Sequence, residues 1–262
     1  MQAAMVRKPV GLVLIHGAGK ETGNYHKDFI QHVRDHLGHQ PPFIAVWWSD
    51  LSDVGVAGRS GFEDPLQSPG ALAFRQDFLI ELGLVAAKRG SPAAGTRASR
   101  QLGETTVSLW DTATDVVRYF FDRQVRLSIQ GRLLQGLEQA NQLWESTVLA
   151  SHSLGSVIAY DVLRRHAASY NTLTWFTTGC PLAKLVKLRQ STTEVGQIAL
   201  PPAKSWQNLY DSRDVVASAL GKTFPYPVTD QRVKNEGGIL GSHNYWPNPS
   251  VASAVAKALE RS

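Results

Sequence analysis

Runs of consecutive apolar residues recur along this chain, each stopped by small or polar residues. The first is Val10 to Ile15 (VGLVLI), which ends at His16-Gly17-Ala18-Gly19. An unbroken apolar run of this length predicts a strand buried on both faces, followed here by a tight loop. Phe43 to Trp48, Val148 to Ser151, Leu173 to Thr178, Trp206 to Tyr210 and Val228 to Val233 predict further strands, with Pro41-Pro42 breaking the chain before the second. Between them the spacing changes to three and four. Asn24 to Leu37 carries Phe29, Ile30, Val33 and Leu37 on one helical face, and Gly155 to about His166 and Ser250 to Leu259 also predict helices. Strands alternating with helices predict an α/β fold with a mostly parallel central sheet and helices on both faces.

Leu51 to Asn141 breaks the alternation. Asp53 to Gly70 and Gly90 to Gly103 are rich in Gly, Ser and Pro and read as loops. Ala71 to Arg89 and Thr105 to Ala140 have helical spacing, the second with an apolar stripe from Val107 and Trp110 through Phe120 and Ile129 to Leu137. The expectation is one α/β domain over residues 1–262, with residues 51–141 as a helical insertion or lid partly closing over one edge of the sheet.

Composition narrows the function classes. The 262 residues are 43% hydrophobic and 19% charged, as in an ordinary water-soluble domain. The net charge of +5 is spread out, with no run of five or more like charges and no nucleic-acid motif, so a solvated surface is expected rather than a nucleic-acid partner. Met1 to Pro9 is too short and polar for a signal peptide. The apolar stretch Phe78 to Ala87 is about half of the roughly twenty residues that span a bilayer, so no integral membrane segment is expected. The single cysteine, Cys180, fits a reducing compartment, and a cytoplasmic location is expected. No ligand cluster suggests a metal. A dinucleotide site is disfavoured because His16-Gly17-Ala18-Gly19 lacks the third glycine, and Asp50 falls past the end of the second strand. No cofactor is expected.

The candidate chemistry lies where strands end. Val148 to Tyr160 reads VLASHSLGSVIAY: an apolar strand, a turn of small residues around Ser153, and a helix at once. Such a turn holds a serine hydroxyl out as a nucleophile, and its flanking backbones come so close that only very small residues fit two positions either side. Here those residues are Ser151 and Gly155, Ser151 standing where glycine is usual. A serine nucleophile needs an imidazole base oriented by a carboxylate. Downstream of Ser153 the only histidines are His166, on the helix after the turn, and His243, in the late loop Gly241 to Trp246, which makes His243 the candidate base. For the acid, Asp214 in Tyr210-Asp211-Ser212-Arg213-Asp214 is preferred, with Asp211, Glu194 and Asp230 as alternatives. An oxyanion hole would combine the backbone N–H of Leu154 with one from the loop after the first strand, Ala18 or alternatively Gly17. His16 is expected to be a structural hydrogen-bonding residue, His152 a support of the turn, and Cys180 a buried or loop thiol.

On these residues the chain resembles the α/β-hydrolase superfamily, and within it bacterial lipase-like or serine-esterase-like hydrolases. The matching pieces are LIHGAG at Leu14 to Gly19, SHSLGSVIAYDVL at Ser151 to Leu163, TTGCPL at Thr177 to Leu182, NLYDSRDVVA at Asn208 to Ala217 and SHNYW at Ser242 to Trp246. They omit Leu51 to Asn141, the turn departs from the family pattern at Ser151, and the family's first hairpin is missing or replaced. The resemblance implies acyl hydrolysis through Ser153, His243 and Asp214 on a small-molecule or lipid-like acyl substrate, more firmly than any one substrate. An ester hydrolase is favoured over an amidase or thioesterase, and a ligand-binding protein on the same scaffold is the competing class.

Overall fold

The computed structural model describes residues 8–19, 21, 23–51, 64–83, 113–166, 169–190, 203–224, 227–237 and 241–261. Six strands form one all-parallel sheet: β1 (Lys8–Ile15), β2 (Phe43–Val46), β3 (Trp144–His152), β4 (Thr172–Thr178), β5 (Ser205–Tyr210) and β6 (Thr229–Arg232), in the spatial order β2-β1-β3-β4-β5-β6. The named helices are α1 (Lys27–Leu37), α2 (Pro69–Glu81), α3 (Arg123–Leu143), α4 (Leu154–His166), α5 (Leu182–Gln190) and α6 (Pro249–Glu260). A further helical stretch covers 113–121.

Alternation along each strand builds two cores. Leu12 and Leu14 of β1, Val148 and Ala150 of β3, Phe176 of β4 and Leu209 of β5 face α1 and α6. Val13, Ile15, Leu149, Trp175 and Trp206 point the other way, toward α3, α4 and α5. Both faces of the central strands are therefore dry, which is why they read as unbroken apolar runs. At the edge, β6 (TDQR) is exposed at all four positions, and its polar and charged side chains guard an open edge against pairing with another chain.

The winding places the site. From β1 the chain passes through α1 to β2, on one side of β1, and then returns to β3 on the other side. The order thus reverses between β1 and β3. In doubly wound sheets the crevice outside the carboxyl ends of the strands at that reversal is where ligands bind. The loops that leave there are the His16 to Gly19 loop and the Ser153 turn.

Several elements differ from the sequence expectation. The long helix expected from Thr105 to Ala140 is interrupted at Asp122, whose carboxylate accepts the Gln124 and Val125 N–H groups and so caps the start of α3. Within the crossover from β2 to β3, α3 packs against β1, β2 and β3 and against α4. The rest of the 51–141 expectation falls largely on 52–63 and 84–112, outside the described residues. β3 begins at Trp144, four residues before its apolar run, and α5 follows β4 where the sequence reading expected no helix. No described helix is long and apolar enough to cross a membrane.

Candidate active site

Ser153 sits between the last residue of β3 and the first of α4. Its φ of +51° makes it the one non-glycine in the left-handed region among the described residues. A β-substituted residue is strained there, and such strain persists only where surrounding contacts enforce it. Those contacts are present: the Ser153 N–H donates to the Thr178 carbonyl at 2.8 Å, and its own carbonyl accepts from the Ser156 N–H at 2.9 Å. The α4 backbone then crosses the end of β1 so closely that a Cβ on Gly155 would lie 2.4 Å from the His16 carbonyl oxygen. A Cβ on Gly17 would lie 2.6 Å from that of Ser153. Glycine at both positions lets the two loops touch.

Ser151 does more than fit. Its hydroxyl accepts the Trp175 indole N–H at 2.9 Å and lies 3.0 Å from the Phe176 carbonyl oxygen and 3.1 Å from Ser156 Oγ. It ties β3 to β4 and to α4, and glycine there would leave the buried Trp175 N–H without this acceptor.

Three side chains from three loops form one hydrogen-bonded row. His243 Nε2 is 2.9 Å from Ser153 Oγ, and His243 Nδ1 is 2.8 Å from Asp214 Oδ2. A carboxylate only accepts, so the neutral imidazole carries its proton on Nδ1 and turns a bare Nε2 toward the serine hydroxyl. Asp214 also accepts the Val216 N–H at 2.9 Å and the Tyr245 hydroxyl at 2.9 Å. Burial pushes its carboxyl up, but the His243 hydrogen bond, the charge that His243 carries when protonated, and the hydrogen bonds from Val216 and Tyr245 outweigh it and hold Asp214 below its usual value. Burial and the neighbouring carboxylate push the Tyr245 hydroxyl far above its usual range, keeping it a donor.

The other candidate acids are committed elsewhere. Asp211 accepts from the Arg213 backbone N–H and guanidinium and from the Asn235 N–H, and the Arg213 hydrogen bond above all holds its carboxyl low. Asp230 accepts from Asn208, Leu220 and Gly221. Glu194 lies outside the described residues. His166 is exposed at the far end of α4.

Two further histidines, His16 and His152, hold backbone. His16 is fully buried; its Nε2 accepts the Trp48 N–H at 3.1 Å, so Nδ1 carries the proton donated to the Gly17 carbonyl at 2.7 Å. Burial lowers it to about 4 and keeps it neutral. His152 Nε2 lies 2.9 Å from the His243 carbonyl oxygen and so donates to it, holding the loop that carries His243. Burial first, and then the nearby His243, lowers His152 to about 3. Cys180, on the Ser156 side of the turn, is buried and its thiol is pushed up to about 12 by that burial.

Leu154 opens α4, and the first N–H groups of a helix have no carbonyl behind them within the helix. On the β1 side, Gly17 packs directly on Ser153. Sequence reasoning gave no role to Tyr245, whose hydroxyl joins Asp214 to the Asp211 N–H. Nor did it find Gly179, at φ +59°, where a Cβ would lie 2.9 Å from His243 Cε1. Both fall in quoted motifs, two residues after His243 and just past the end of β4, and that adjacency was the available signal.

Among the described residues no group of three or more His, Cys, Asp and Glu could hold a metal ion. An open groove of about 850 Å³ lined by Gln207, Gln231, Lys257 and others includes none of these site residues. No protein-family model matches the chain, and no curated protein matches it significantly. Among solved structures it is similar to a crystal structure of a novel pyrethroid hydrolase, PytH, with BIF: 12% sequence identity, TM-score 0.45, over 97% of this chain and 98% of that chain.

Proposed function

We propose that this protein is a serine hydrolase that cleaves a carboxylic ester, with an acyl or lipid-like substrate, through an acyl-enzyme. The observation that carries the reading is the row Ser153 Oγ, His243, Asp214 at 2.9 and 2.8 Å, on a strained turn at the reversal point of the sheet. His243 Nε2 takes the hydroxyl proton as Ser153 Oγ attacks the ester carbonyl carbon. The carbonyl π electrons move to oxygen, and the resulting oxyanion is held by the Leu154 N–H and by the Ala18 or Gly17 N–H. The tetrahedral intermediate collapses, the C–O bond to the leaving alcohol breaks, and the imidazolium gives that oxygen its proton. Water then attacks the acyl carbon, delivering a proton to His243, and a second collapse releases the acid and returns the proton to Ser153. Asp214 keeps Nδ1 protonated and stabilises the imidazolium formed twice per cycle.

Turnover of short-chain p-nitrophenyl esters beside the matching thioesters and anilides tests this reading. Ester turnover that disappears in Ser153→Ala is the expected result. Preference for thioesters or anilides, again lost in Ser153→Ala, would move the protein to the thioesterases or amidases with the same triad. Absence of turnover on every substrate would leave a ligand-binding protein on a hydrolase scaffold.

A further inference from the structure

Gly19 ends the loop that follows β1, with φ +103°. Both of its backbone groups are held by side chains from elsewhere in the chain. Its N–H donates to Asp115 Oδ2 at 2.9 Å, across 96 residues, and its carbonyl accepts from Ser49 Oγ at 3.0 Å. Asp115 belongs to the helical stretch 113–121, and Ser49 follows β2. The near end of the loop is equally fixed, because the Gly17 carbonyl accepts from His16 and Gly17 packs on Ser153. The segment between these anchors carries the Gly17 and Ala18 amides.

A carboxylate is an awkward choice for this place. A negative charge near a developing oxyanion opposes it, so Asp115 is useful there only as an acceptor with its charge offset. Arg118 supplies the offset: its guanidinium is 3.7 Å from the Asp115 carboxylate, with both side chains only 13% and 11% exposed. An oxyanion donor acts within a narrow range of distance, so a loop that slackens by a fraction of an ångström loses much of its effect.

We propose that Asp115 is a positioning residue that holds the oxyanion loop through the Gly19 N–H, linking the 113–121 helix to stabilisation of the transition state. The proposal rests on the serine-hydrolase reading above. It is tested with full-length wild type, Asp115→Ala, Asp115→Asn, Ser49→Ala and Ser153→Ala, measuring ester turnover and inhibition by an alkyl trifluoromethyl ketone. Ser153 Oγ adds to the ketone carbon as its proton passes to His243, leaving an oxyanion in the same place as in the reaction.

In Asp115→Ala, kcat falls about ten- to a hundredfold with KM changed by less than about threefold, and ketone affinity falls in proportion to kcat/KM. Asp115→Asn stays within about threefold of wild type, because an amide oxygen can still accept the Gly19 N–H. Ser49→Ala lowers kcat in the same direction by a smaller factor, and it serves as the second reading if Asp115→Ala does not fold. Wild-type kcat and ketone affinity in Asp115→Ala would overturn the proposal while Ser153→Ala remains inactive. So would equal losses in Asp115→Ala and Asp115→Asn, because the asparagine amide oxygen keeps the acceptor on which the proposal depends. Full ester turnover in Ser153→Ala would overturn the serine-hydrolase reading and this proposal with it.

Discussion

Two polar regions of this molecule are built in opposite ways. The groove over β4, β5 and β6 beside α6 is open, about 850 Å³, and is lined by Thr174, Gln207, Gln231, Lys257 and Arg261 among others. At the edge outside β1 and β3, Ser153, His152, Asp211, Asp214 and Tyr245 are all less than a tenth exposed and are linked, through His243, by hydrogen bonds. Polar groups facing solvent lose nothing by standing alone, so a wet groove places no demand on their geometry. Buried ones must be partnered, and at this edge the partners orient one lone pair at one hydroxyl. Volume and polarity mark a groove; convergence marks a candidate reactive site.

The comparison breaks most sharply at the proposed base, His243. His243→Ala is expected to lower kcat for ester hydrolysis by about 10⁶, and Asp214→Asn by about 10⁴, the scale seen when serine triads lose these members. Steady-state kinetics on a p-nitrophenyl ester checks both, and a loss below tenfold in either would place the chemistry elsewhere. The next effect is on acid stability. His16 and His152 stay neutral in the fold, at about 4 and about 3, while an unfolded histidine takes up a proton near 6.5. The unfolded chain therefore binds more protons below that value, and stability falls as the pH drops from about 6.5 toward 4, by up to about 1.4 kcal/mol per pH unit for each histidine. The depressed Asp214 carboxyl contributes stability that is present above its unfolded value and lost only as the pH falls below it toward the folded one. Urea midpoints at pH 7, 5.5 and 4.5 measure the histidine slope, and His152→Phe, if it folds, should remove about half of it.

Smaller effects sharpen the contrast. Tyr245→Phe removes one hydroxyl between Asp214 and the Asp211 N–H, and kcat should fall about tenfold with KM little changed, because the imidazolium loses part of its oriented counter-ion. At the groove, Lys257→Ala and Gln207→Ala should leave kcat/KM within about twofold of wild type, since neither touches the hydrogen-bonded row. A larger loss there would erase the distinction between the two regions.

Much of this architecture is written locally. The unbroken run at Val10 to Ile15 follows from burial on both faces and the stripe of Phe29, Ile30 and Val33 from the 3.6 period, and both fall where strand and helix form. The extension of β3 to Trp144 is different: Trp144 and Ser146 pair with Lys8 and Val10 although Trp144-Glu145-Ser146 carries no apolar run. α5 (LAKLVKLRQ) is short, basic and follows Pro181, so its apolar side is too brief to read as a helix. At the site, Ser153, His243 and Asp214 could be picked by chain order because that chemistry needs few residue types. Tyr245 and Asp115 could not, because their bonds join residues 31 and 96 positions apart and leave no periodic trace.

The most direct test of the central claim is covalent. A fluorophosphonate should react with the wild-type protein to one equivalent, and peptide mapping should place the phosphonyl group on Ser153. Reaction should vanish in Ser153→Ala and slow by orders of magnitude in His243→Ala, where the hydroxyl has no base. Stoichiometric labelling that persists in Ser153→Ala, or that proceeds at the wild-type rate in His243→Ala, would contradict it.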